Sequence, residues 1–113
     1  MVMIMAEETN EVSKISKVSE IDEIILANYL RISEPTEDDL MQLRTFLNVS
    51  QEYIKSYTNQ QDLDQYPAFV AVVFVIVQDL YDNRALYISG SGGSTSANKV
   101  IENILEMYRI NLL

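Results

Sequence analysis

This sequence predicts an all-α fold, a small bundle of about four helices around one buried central helix, and three observations predict it. The first is the unbroken apolar run Ala68 to Val77, opened by Pro67 and continued by Leu80, Tyr81 and Leu86 at helical spacing. The second is Leu40, Leu43, Leu47, Ser50, Ile54 and Tyr57, which follow one another at steps of 3, 4, 3, 4 and 3. The third is Val100, Ile101, Ile104, Leu105 and Tyr108, an amphipathic pattern close to the end of the chain. At 113 residues the chain is expected to form one domain with a real core.

Residues 1–18 carry little pattern: Val12, Ile15 and Val18 recur every third position among Ser, Lys and Glu, as in a short helix or in an arm that orders against a partner. Met1 to Met5 is apolar but lacks a basic start and runs into Glu7 and Glu8, so it is not expected to be a signal peptide. Residues 19–113 form the single helical domain. Its first helix is expected to start at Ser19 as N-cap, with Asp22 as the partner in an imperfect capping box and Ile21, Ile25, Leu26, Tyr29 and Leu30 as its stripe. Ser33, Glu34 and Pro35 should stop it, since a residue before proline is driven out of the helical region.

Thr36 then caps a long helix over 37–58, with Glu37, Asp38 and Asp39 at the positive end of its dipole. Phe46 and Tyr53 widen its apolar stripe, while Gln42, Arg44, Gln51, Glu52 and Lys55 form a solvated face. After the polar break at Asn59 to Asp62, Pro67 suits the first turn of the central helix, expected over 67–87 and buried on every side, Val75 included. At ten residues the wholly apolar block falls short of the ~20 a membrane span needs, and no membrane association is expected. The low-complexity stretch Ser89 to Ser96 reads as a flexible loop, after which Ser96 can cap the last helix.

Composition narrows the chemistry. With 8 basic and 17 acidic residues the net charge is −9, which disfavours nonspecific binding to DNA or to anionic lipid. There is no cysteine and no histidine, which removes disulfides, thiolate metal sites and the commonest general base. Glu34, Glu37, Asp38 and Asp39 lack the alternating ligands and central glycine of a calcium loop, and the serine-glycine stretch lacks a P-loop lysine. No catalytic, metal or cofactor site is therefore expected. Tyr81, Asp82, Asn83 and Arg84 can cap the end of the central helix, and Tyr81, Asn83 and Arg84 are equally of the kind enriched at subunit contacts.

Several stretches taken together resemble the head-tail connector family of tailed bacteriophages, also called adaptor or head-completion proteins. Ala27-Asn28-Tyr29-Leu30-Arg31-Ile32 is similar to the family's opening segment. Glu37-Asp38-Asp39-Leu40 followed by Ser50-Gln51-Glu52-Tyr53-Ile54-Lys55-Ser56-Tyr57-Thr58 resembles its acidic-start second helix, and Pro67 with the apolar run and then Leu80-Tyr81-Asp82-Asn83-Arg84 resembles its third. Ile104-Leu105-Glu106-Met107-Tyr108-Arg109 is similar to its closing helix. The serine-glycine insert departs from the pattern. The resemblance covers about 20–109 and implies a structural virion protein, not an enzyme. Such a protein assembles in the host cytoplasm as a homo-oligomeric ring of about 12 subunits beneath the portal protein. It extends the DNA channel without specific DNA binding, and receives a stopper or tail-completion protein on its other face. Under this reading the portal or subunit contact is expected at Tyr81, Asn83 and Arg84 and on the tethered last helix, through Ile101, Ile104, Leu105, Tyr108, Arg109, Leu112 and Leu113. The alternative is an acidic regulatory protein that occupies a nucleic-acid-binding partner by charge mimicry.

Overall fold

The computed structural model describes residues 15–84 and 96–110, with the backbone alone for 96–98. The expected arm up to residue 14, the loop from Ser89 to Thr95, the capping role of the Ser96 side chain, Leu86, and Leu112 with Leu113 lie outside the described residues. Among those described there are four α-helices and no strand: α1 (Glu23–Tyr29), α2 (Glu37–Thr58), α3 (Ala68–Asp82) and α4 (Ser96–Glu106). Short 3₁₀ turns at Val18–Glu20 and Leu63–Gln65 precede α1 and α3. The chain is all-α. No helix among the described residues is long and apolar enough to cross a membrane.

The start of α1 differs from expectation, because Asp22 rather than Ser19 is the N-cap, its carboxylate accepting from the Ile25 amide. Ser19 is already engaged in the preceding turn, where its amide donates to Asp64 Oδ1 at 2.9 Å and ties the two 3₁₀ turns together. That bond holds the Asp64 carboxyl below its usual range. The helix also stops before the Pro35 signal acts. Its end is a Schellman motif: Ile32 N–H donates to Ala27 O at 2.9 Å and Arg31 N–H to Asn28 O at 3.1 Å, with Arg31 left-handed at φ 61°. A non-glycine residue pays about 1–2 kcal/mol for that conformation, which the two capped carbonyls and the docking of Ile32 on the core offset.

The long helix matches its expected bounds. Thr36 and Asp39 exchange hydrogen bonds at 3.1 and 3.0 Å in a full capping box. Leu43, Leu47, Ser50 and Ile54 are buried, with Leu40, Phe46 and Tyr57 partly so. Two hydroxyls in this apolar seam are satisfied by the turn below them, Ser50 by Leu47 O and Thr58 by Ile54 O. Of the face expected to be solvated, Arg44 and Glu52 are exposed, whereas Gln42, Gln51 and Lys55 are half-buried. Arg44 reaches Glu23 at 3.0 Å, joining α2 to the first turn of α1.

Pro67 is the N-cap of α3, with φ −57° and a carbonyl that accepts from the Val70 amide. Phe69, Val70, Val72, Val73, Phe74, Ile76 and Val77 are buried. The helix is nevertheless not covered on every side: Ala71 and Gln78 are exposed and Ala68 and Val75 only half-buried, one stripe at helical spacing. Three neighbours cannot encircle a fourth helix in a domain of this size. The described helix ends at Asp82, where Asn83 caps it with its amide bonded to Asp79 O, and the expected bound at 87 lies outside the described residues.

The last helix lies antiparallel to α3. Its early residue Ile101 shares a groove with Ile76 and Leu80, while Tyr108, just past its end, meets Phe69 near the start of α3 at a ring distance of 5.2 Å. Ile101 and Leu105 are wholly in the core. Val100, expected on the apolar stripe, is 53% exposed.

Candidate functional site

Of the described residues expected at an interface, Tyr81, Asn83 and Arg84 lie at one end of the α3–α4 pair and Tyr108 and Arg109 at the other, with Ile101, Ile104 and Leu105 along α4 between them. At the first, Asn83 Nδ2 donates to Asp79 O at 3.1 Å and to Asp79 Oδ1 at 3.0 Å. Arg84 Nη1 donates to Tyr81 O at 2.6 Å, and its guanidinium lies 4.2 Å from the Tyr81 ring centre. The bond from Arg84 satisfies a carbonyl that the helix end leaves without a partner, whereas Asp79 O already accepts from the Asn83 amide. Arg84 is exposed and Tyr81 is half-buried against the core.

At the second place the chain latches itself. Tyr66, Phe69 and Tyr108 form a ring cluster at centroid distances of 4.6 to 5.4 Å. Around it, Gln60 Nε2 donates to Tyr108 O at 2.9 Å, Ile110 N–H to Thr58 O at 2.8 Å and Asn59 Nδ2 to Ile110 O at 3.0 Å. Asn59 makes these contacts from a left-handed position at φ 60°, which asparagine tolerates. Tyr57 donates to Glu106 at 2.6 Å, and that bond, with burial and the negative charge of Glu106 adding to it, pushes the Tyr57 hydroxyl up to about 12. Arg109 is exposed, 3.5 Å from Glu106 and 5.7 Å from the centre of the Tyr57 ring.

The face of α4 expected to meet a partner is therefore largely used by the domain itself. Ile101 and Leu105 are buried, and Ile104 and Tyr108 are half-buried on the same core. A portal contact through those four side chains requires the helix to leave its seat. Arg84 and Arg109 remain at the surface.

One open site was not anticipated. Between the second half of α2, the end of α3 and the start of α4 runs a groove of about 350 Å³. Ile76, Leu80 and Ile101 form its floor, Val49 and Tyr53 one wall, and Asp79 and Glu102 carry its carboxylates. Val49 and Tyr53 are 47% and 39% exposed although apolar. Partial burial, reinforced by the negative charge of Glu102, raises the Tyr53 hydroxyl above its ordinary value. The one hint in the sequence was Val49, apolar on the side of α2 away from the main stripe. A shallower hollow of about 240 Å³ lies over the open stripe of α3, at Val75, Gln78, Asp79 and Asp82. Among the described residues no three acidic side chains come together in a way that could hold a metal ion.

Set beside family models, curated proteins and solved structures, the chain matches none of them.

Proposed function

We propose that the chain is a structural assembly protein of the head-tail connector kind, without enzymatic activity. It forms a ring under a portal protein, continues the DNA channel and carries a stopper or tail-completion protein, first in the host cytoplasm and then in the virion. The observation that supports this reading is where the resembling motifs fall. Leu30-Arg31-Ile32 is the Schellman end of α1, Glu37-Asp38-Asp39 the capped start of α2, and Tyr57-Thr58 its last turn. Pro67 opens α3, Asn83 and Arg84 cap its end, and Tyr108-Arg109 closes α4. Each motif reaches a helix boundary at these positions, so together they bear on helix lengths and order, which is what a shared architecture constrains. Exposed carboxylates at Glu37, Asp38, Asp82 and Glu102 suit a surface that DNA must pass without sticking.

Co-expression with a portal protein, followed by native mass spectrometry and electron microscopy, tests the reading. A ring seated on the portal is the expected result. Arg84→Gln should lose ring formation while costing at most about 1 kcal/mol of stability, since it removes one exposed hydrogen bond. A protein that stays monomeric beside the portal, yet holds a basic nucleic-acid-binding protein in a salt-sensitive complex, would overturn the connector reading in favour of charge mimicry.

A further inference from the structure

We propose that the groove between α2, α3 and α4 is a docking site for a partner segment that presents apolar side chains flanked by lysine or arginine. The proposal goes beyond the connector reading and stands whether or not that reading holds. Two features of the groove argue for such an occupant. The floor, at buried Ile76 and Ile101 with half-buried Leu80, and the exposed wall, at Val49 and Tyr53, put apolar side chains on both sides of an open groove. The charges beside that surface have one sign: Asp79 and Glu102 are the only charged groups among its described lining residues, within a chain of net charge −9.

That combination selects its ligand. Apolar side chains fill the floor, and a flanking cation answers Glu102, which is exposed on the first half of α4. An acidic segment is repelled by the same carboxylates, and so is nucleic acid. The raised Tyr53 hydroxyl stays protonated at neutral pH and adds a donor at the rim. Three helices line the groove, and one or two apolar anchors of an amphipathic segment, with a cation beside them, are what its volume of about 350 Å³ admits.

The test uses the full chain and a synthetic amphipathic peptide of about 15 residues with leucine anchors and flanking lysines. Its controls are one peptide with glutamate for lysine and one with glutamine for leucine. Methyl NMR should show the lysine peptide shifting Val49, Ile76, Leu80 and Ile101, with neither control doing so. Glu102→Lys should weaken binding about fivefold or more, and Tyr53→Ala should weaken it as well, both with unchanged circular dichroism. Shifts that fall elsewhere, equal binding of the glutamate peptide, or an unaffected Glu102→Lys variant would overturn the proposal. So would a groove already filled in the free protein, whether by a second copy seen in sedimentation or by residues 85–95 of the same chain.

Discussion

The two ends of α4 make a direct comparison, because one amphipathic helix is sealed at its end and left open at its start. Around Tyr108 the neighbouring rings and the polar groups of residues 58–60 close over the chain. Around Ile101 and Glu102 the helix covers the floor of a groove and leaves the wall at Val49 and Tyr53 in water. The apolar repeat is the same throughout the helix. What differs is the material opposite it: two aromatic rings from the approach to α3 and its first turn at one end, and at the other a valine and a tyrosine of α2 with Ile76, Asp79 and Leu80 of α3. Periodicity selects the face of a helix that turns inward, and its neighbours decide how completely that face is covered.

The comparison can be broken most severely at Phe69. It is fully buried and carries the edge contacts to both Tyr66 and Tyr108. Phe69→Ala should cost about 3–5 kcal/mol in urea unfolding. Hydrogen exchange should then show the end of α4 losing protection before α1 does. A smaller effect is expected from Gln60→Ala, which strands the Tyr108 carbonyl in a half-buried setting and should cost about 1–2 kcal/mol. If exchange at the end of α4 is already fast in the wild type and neither variant changes it, the latch is not holding the helix.

Alkaline titration sharpens the same end. The protonated Tyr57 hydroxyl is the form that donates to Glu106, so its folded pKa of about 12 lies above the ordinary 10.0. Its contribution is whole below the unfolded value and is lost as pH rises through the folded one. Thermal unfolding should show this as a decline between pH ~10 and ~12 that Tyr57→Phe lacks. Equal pH profiles for the two proteins would mean that the bond does not persist in solution. The smallest effect belongs to the open end: Val49→Ser, on an exposed wall, should change stability by no more than about 0.5 kcal/mol. A large loss there would show that the groove wall is part of the core.

Much of the molecule was legible before any coordinates. The all-α class and the bounds of the 37–58 helix followed from a long unbroken period and from Thr36 and Asp39 standing in capping register. These are interactions within a few residues, whose geometry is set by the helix itself. The misread positions all depend on what lies far away in the chain. Ser19 was a sound cap by local rules, but Asp64, 45 residues on, takes its amide. Val75 sits in the most apolar run of the sequence and is still half-exposed, because burial depends on the number of neighbours and not on the hydropathy of the run. The seating of the last helix is long-range as well: Leu105 is completely buried, and aromatic and polar partners 39 to 51 residues away meet the chain at the end of that helix.

By itself, then, the sequence determined which segments are helical, where the longest begins and ends, and that neither histidine nor cysteine chemistry is open to this protein. The tertiary structure alone decided which apolar faces are sealed, which candidate interface residues stay at the surface, and that a groove carrying two carboxylates opens where α3 ends and α4 begins. Helical order is a matter of interactions one turn apart, whereas covering a surface requires side chains that the chain brings together only by folding.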